Sequence, residues 1–221
     1  VLSDMEPGGA QRVILSILRR IDHDQVEPHL AVLDRRGPLA KEVPPGIPVH
    51  SLGARRVRYA LPALWGLCHR LRPANVVCTL GHLNLAVLAG RPLIRRRTRI
   101  IVREANIPSI RLKYTRAPFT YRSLYRRLYP LADKVVCNSE AMRNDLVRCF
   151  SVPARKAIVI SNPVDIERVR SFASQGVNPL EAGRTQVVSV GRLHAQKGYD
   201  MLLRAFKRVL LSCSNVHLTL V

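Results

Sequence analysis

Eight short apolar runs, rich in Val, Ile and Leu, punctuate the chain: HLAVLD (29–34), VHSL (49–52), NVVCTL (75–80), RIIVRE (99–104), KVVCNS (134–139), AIVISN (157–162), QVVSVG (186–191) and VHLTLV (216–221). Val1-Leu2 read as the end of one more strand. Between the runs the apolar spacing changes to that of a helix. Val13, Ile14, Ile17 and Leu18 share one face, and Leu61, Leu64, Trp65, Cys68 and Leu71 a second. Tyr121, Leu124, Tyr125, Leu128 and Leu131 form a third, and Leu202, Leu203, Phe206, Val209 and Leu210 a fourth. Strands that are apolar throughout, alternating with amphipathic helices, predict an α/β fold whose parallel sheet is covered on both faces. The rhythm pauses at SFASQGVNPLEAGR (171–184), which is polar and turn-rich. The expected organisation is a domain over 1–170, a linker over 171–185, and the first βαβ unit of a second Rossmann-like domain over 186–221.

With 221 residues, 47% of them hydrophobic, the chain can bury a substantial core. No apolar stretch approaches the roughly 18 residues of a membrane span. The five cysteines are scattered without a C-x-x-C pair, which favours reduced core thiols and argues against a metal site. The net charge is +21, and between His50 and Pro130 there are 17 Arg or Lys residues and a single acid, Glu104. Such a field attracts nucleic acid, anionic lipid or phosphorylated ligands. Aromatic residues make up only 5%, and no RRM, zinc-finger or helix-turn-helix signature occurs, which disfavours nucleic acid.

Ligands of open α/β sheets bind at the carboxyl ends of the strands, so the residues there are the candidates. Gly8-Gly9 directly precede the first helix; glycine admits close backbone approach, and a helix N-terminus offers free N–H groups to an anion. A tight turn would need the same two residues. In VGRLHAQKGYDMLLRAF, Arg192 leaves a strand end and Lys197 opens the next helix. Two cations so placed suit a diphosphate, although a solvated basic loop has the same spacing. His82 follows NVVCTL and serves either as a hydrogen-bonding group in the cleft or as a satisfied loop residue. Glu104 is either a catalytic carboxylate or the partner of an arginine. Ser139 is a natural helix N-cap, and Asn162 ends a strand before Pro163. No G-x-x-x-x-G-K-[ST] and no strand-end G-x-G-x-x-G is present.

Taken in order, GGAQRV, KVVCNSEAMRNDL, AIVISNPVD and VGRLHAQKGYDMLLRAF resemble segments of the GT-B glycosyltransferases of family four, along essentially the whole chain. The resemblance implies a retaining transferase that uses a UDP- or GDP-sugar and needs neither cofactor nor metal. It assigns Arg192 and Lys197 to the donor diphosphate, with Gly8 and Gly9 approaching the same phosphates. Glu104 and His82 become candidates for catalysis, and Asn106, Ser139 and Asn162 for the acceptor side. Many relatives carry a histidine where this chain has Glu104-Ala105-Asn106, so no histidine role transfers there. The family's two-glutamate segment would lie beyond Val221, so a C-terminally truncated and by itself inactive piece is expected. The expected acceptor is a lipid-linked or cell-envelope glycan. The basic stretch and the helix in TYRSLYRRLYPL point to a peripheral seat on the anionic cytoplasmic face of a membrane. The alternatives are a non-catalytic fragment of the same fold and a basic nucleic-acid-binding protein.

Overall fold

The computed structural model describes residues 1–176, 183–191 and 193–221. It divides into two compact units, Val1–Asp165 and Ile166–Val221. All eight expected strands form. The expected α/β class with parallel sheets holds throughout.

In the first unit the elements are α1 (Gly9–Arg20), β1 (Leu30–Val32), β2 (Val49–Ser51), α2 (Val57–Leu71), β3 (Asn75–Thr79), α3 (Gly81–Ala89), β4 (Arg99–Arg103), α4 (Pro108–Leu112), α5 (Pro118–Leu128), β5 (Lys134–Cys137), α6 (Glu140–Phe150) and β6 (Ala157–Val159). Strands β3-β4-β5-β6 pair in that order, and β1 pairs with β2, all in parallel. The leading residues join the two groups. Leu2 bridges Val32 in parallel, and the Val1 nitrogen donates to the Val77 carbonyl. The spatial order is therefore β2, β1, Val1-Leu2, β3, β4, β5, β6, the doubly wound arrangement. Its direction of winding reverses between Leu2 and β3, which is where such sheets hold ligands.

Both faces are covered. Leu30 and Val32 of β1 join Leu2, Met5, Ile14, Leu15 and Leu18 in one core, whereas Ala31 and Leu33 belong to the other. That alternation is the period of two along a strand. The larger core gathers Cys78, Leu88, Ile100, Val102, Val135, Leu146 and Phe150, and holds Cys68 and Cys137 as buried free thiols. Local chemistry sets several helix starts. Pro108 and Pro118 occupy the first turns of α4 and α5, where a missing N–H costs nothing. Ser139 caps α6 by accepting from the Met142 N–H at 3.3 Å.

Three expectations need correction. On α1 the buried set is Ala10, Gln11, Val13, Ile14, Leu15 and Leu18, while Ile17 is exposed, because the helix turns Leu15 rather than Ile17 inward. On α5 only Tyr125 is buried; Leu128 is half-buried against the larger core, and Tyr121, Leu124 and the following Leu131 stay exposed, because the stripe meets the core only at its C-terminal end. The boundary falls after Asp165, and α7 (Ile166–Gln175) occupies the first part of the expected linker. Its helix-forming start, IERVR, outweighs the polar run that follows. Residues 177–182 of that expected linker lie outside the described residues. In the second unit β7 (Thr185–Ser189) pairs in parallel with β8 (Val216–Leu220), and α8 (Tyr199–Leu210) connects them.

Candidate functional site

The loop Ser3–Gly8 leaves the sheet at the winding reversal and is tied by one carboxylate. Asp4 accepts from the Ser3 hydroxyl at 2.7 Å, the Glu6 N–H at 3.0 Å and the Gln11 amide at 2.8 Å. Gln11 in turn presses on Gly8, where a Cβ would collide with its side-chain oxygen, whereas a Cβ on Gly9 would meet open space. A side chain at Gly8 would thus have to displace the Gln11 amide that Asp4 holds, and Gly9 at the first turn of α1 is exposed to solvent.

Across the reversal, β3 ends in a strained turn. Leu80 has φ +81°, outside the comfortable range of a branched side chain. Its carbonyl caps α3 by accepting from Leu83 at 3.0 Å and Asn84 at 2.9 Å. Strain of this kind is kept where a site demands it. The turn presents His82, which is exposed. Burial of its surroundings and then the Arg111 guanidinium lower its pKa, with Asp4 opposing. The pair of loops therefore brings Gly8, Gly9 and His82 to one edge of the sheet.

Glu104 lies under this edge, 1% exposed. It accepts from Tyr125 at 3.2 Å, from the Asn84 amide at 3.3 Å and from the Tyr129 hydroxyl. Burial raises its pKa to about 7, although these donors and Arg111 favour the ionised form. Gly81 makes room for the cluster, because a Cβ there would strike the Tyr125 hydroxyl. So placed, Glu104 touches no solvent-facing cleft directly. It holds α3, α5 and the end of β4 together beneath His82.

The neighbouring residue takes the opposite course. Arg103 is 7% exposed and points across the carboxyl edge of the sheet. It donates to the Thr79 hydroxyl at 3.1 Å and the Asn162 side-chain oxygen at 2.6 Å. Asn162 is exposed beyond β6, and Asn106 is half-buried just after β4. Ser139 is engaged as the cap of α6. Arg103 was not singled out from the sequence. Strand alternation could have found it, because a neighbour of Glu104 in an extended segment must face the other side.

In the second unit Lys197 closes the short turn before α8 and is exposed. Gly191 lies against it: a Cβ there would stand 3.5 Å from Lys197 Cδ and Cε, and the Tyr199 hydroxyl donates to the Gly191 carbonyl at 2.8 Å. Gly198, at φ +67°, then starts α8. The loop thereby brings the Lys197 stem beside the residue that precedes Arg192; Arg192 itself lies outside the described residues.

Known proteins share this framework. A HepE of Anabaena crystallised with UDP and glucose matches 99% of this chain and 59% of its own, with a TM-score of 0.68 and 17% identity. The lipopolysaccharide outer core galactosyltransferase WaaB in its apo form matches 99% of this chain and 67% of its own, with a TM-score of 0.64 and 14% identity. At such identities the likeness is one of fold, here that of GT-B glycosyltransferases. In sequence the chain is 27% identical over 214 residues to an N-acetylgalactosamine-N,N'-diacetylbacillosaminyl-diphospho-undecaprenol 4-alpha-N-acetylgalactosaminyltransferase of Campylobacter jejuni, covering 91% of this chain and 56% of that protein. The chain thus spans little more than half the length of that relative. The family model described as Glycosyltransferase Family 4 matches residues 7–168, from the Gly8-Gly9 loop to the start of α7, and the chain belongs to that family.

Proposed function

We propose that this chain is the acceptor-binding part, and the beginning of the donor-binding part, of a glycosyltransferase that moves a sugar from a UDP- or GDP-sugar to a lipid-linked acceptor with retention of configuration. The observation that carries the reading is the 27% identity to a transferase whose name specifies a diphospho-undecaprenol acceptor. In the reaction the bond between the sugar and the diphosphate breaks and a bond to an acceptor hydroxyl forms. The hydroxyl proton leaves with the nucleoside diphosphate. Lys197, with Arg192, neutralises the charge that develops on that leaving group. The open first turn of α1 at Gly9 offers N–H donors to a phosphate. His82 and the Glu104 cluster shape the acceptor edge: His82 by contact, Glu104 by holding the turn that presents it.

The acceptor's lipid implies a membrane. Among the described residues no helix is long and apolar enough to cross one. The surface of α4 and α5 instead supplies a peripheral seat. Tyr114 and Phe119 are 86% and 87% exposed, and Lys113, Arg116, Arg122 and Arg127 stand exposed around them. Aromatic rings flanked by cations suit an anionic headgroup layer, and the cytoplasmic leaflet is the anionic one.

The test uses the full-length parent protein, with UDP- and GDP-sugars and a polyprenyl-diphosphate-linked sugar, and measures both nucleoside diphosphate release and label in the lipid fraction. Acceptor-dependent transfer is expected. A charge-assisted contact contributes about 1.5–3 kcal/mol, so Lys197→Ala should weaken nucleotide binding at least about tenfold. Label that never enters lipid, or a Lys197→Ala variant with unchanged nucleotide affinity, would count against the assignment.

A further inference from the structure

Arg103 is a buried cation with no anion in contact with it among the described residues, although the charge of Glu104 favours its ionised form from a distance. Its guanidinium carries five N–H donors, and its two hydrogen bonds go to neutral oxygens, those of Thr79 and Asn162. No carboxylate lies within ion-pair distance of it among the described residues. The nearest acid in sequence, Glu104, turns to the opposite face and is occupied by Asn84, Tyr125 and Tyr129. Burial is felt by the charged form: it lowers the Arg103 pKa, and Glu104 opposes that without reversing it. A guanidinium placed in low dielectric with no opposite charge in contact gains from an anion that arrives from outside. Its position is not that of a core residue: it spans the carboxyl ends of β3 and β4 and the segment after β6, the edge where doubly wound sheets bind ligands. Asn162 extends the arrangement. Its side-chain oxygen accepts from Arg103, so the amide NH2 is the end left over, at an exposed position and with no acceptor among the described residues.

We propose that Arg103 and the Asn162 amide form an anion seat that receives a phosphate of a diphosphate-linked acceptor and so selects acceptors that carry one. The diphosphate as part of the acceptor rests on the glycosyltransferase reading above; the seat itself rests on the geometry of the first unit. Arg can fork across two phosphate oxygens while keeping its bond to Thr79. The Asn162 NH2 supplies a further donor at the solvent side. An acceptor ending in a neutral sugar alone would bring the guanidinium no contact anion.

The test is calorimetric titration of the 221-residue chain with inorganic pyrophosphate in the presence of saturating UDP, which occupies any nucleotide site. Wild type, Arg103→Met, Asn162→Ala and Arg97→Met are compared; Arg97 is exposed just before β4, at the opposite edge of the sheet, and controls for loss of one charge. Pyrophosphate should bind the wild type. Arg103→Met should weaken it at least about tenfold and Asn162→Ala about threefold, while Arg97→Met should leave it within about twofold. UDP affinity, titrated separately, should not change in Arg103→Met. Nor should the thermal midpoint of Arg103→Met fall, since for this charge the burial cost outweighs the compensation from Glu104. The proposal is overturned by any of four results: no pyrophosphate binding to the wild type, equal loss in Arg97→Met and Arg103→Met, a loss of UDP affinity in Arg103→Met, or weakened binding accompanied by a lowered midpoint. The last would mark Arg103 as structural, a role that its bond to Asn162 alone would also satisfy, and unchanged midpoint with lost binding excludes it. These titrations do not involve sugar transfer, so failure of the transferase reading and failure of the seat are separate results.

Discussion

At the scale of single residues, the two neighbours at the end of β4 divide the labour of the site. Glu104 was conspicuous in the sequence as the one acid among 17 basic residues between His50 and Pro130. That made it visible, but not its surroundings: Asn84, Tyr125 and Tyr129 are brought to it from 20 to 25 positions away. No local pattern encodes such a meeting. Its raised pKa has a consequence for stability. The native state keeps a proton on Glu104 up to about pH 7, whereas the unfolded chain releases it near the ordinary carboxylate value of about 4.5. Between these values the native state binds more protons, so stability declines as pH rises through the window. Glu104→Gln should flatten this decline. Thermal midpoints from pH 5 to pH 8 will show it, with the variant gaining on the wild type toward pH 8. A variant that tracks the wild type in parallel would mean that Glu104 is ionised throughout. The same cluster predicts that Gly81→Ala, by displacing the Tyr125 hydroxyl, costs about 1–3 kcal/mol, measurable by urea unfolding; an unchanged midpoint would show that Tyr125 can move away freely.

At the scale of elements, periodicity located every strand and the long helices, but it could not say which apolar stripes find a partner. The stripe on α2 does: Leu64 and Cys68 are buried. The equally regular stripe of α5 does so only at Tyr125 and, in part, Leu128. Hydrophobic spacing reports which residues share a face, and only tertiary structure decides whether that face is covered. The linker expectation failed in a related way. A polar, turn-rich composition without periodicity reads as a linker over 171–185, yet α7 continues to Gln175. For α5 the uncovered stripe leads to a measurable expectation. Inserting Phe119 and Tyr114 into an interface contributes about 2 kcal/mol each, and each nearby cation about 1 kcal/mol against an anionic surface. The chain should therefore co-sediment with vesicles containing phosphatidylglycerol, release at high salt, and bind neutral vesicles poorly. A Tyr114→Ser/Phe119→Ser double variant should lose at least about tenfold in partitioning. Equal binding to neutral and anionic vesicles would remove the electrostatic part of the argument.

At the scale of the whole chain, the two units differ in how much of themselves they bury. Val1–Asp165 contains both hydrophobic cores, and every buried residue among those described belongs to it. Ile166–Val221 has α7 and, between its two paired strands, α8, whose apolar face leaves Leu203, Val209 and Leu210 exposed. Two strands and two helices with so little covered surface are marginal alone, because little burial offsets the entropy of ordering them. The segment joining β6 to β7 also presents the exposed Arg170 and Arg184 to a protease. Local opening should accordingly be cheap after Asp165 and expensive before it. Brief trypsin treatment of the 221-residue chain should leave a resistant fragment whose C-terminus, read by intact-mass measurement, falls between Arg168 and Arg184. The many arginines of the first unit should be spared despite their number, since cleavage there requires the cores to open. Hydrogen exchange should agree, with slow amides in β3, β4 and β5 and fast ones in β7 and β8. Protection that runs evenly to Val221 would contradict this division, and would mean that the second unit is stabilised by contacts other than its own burial.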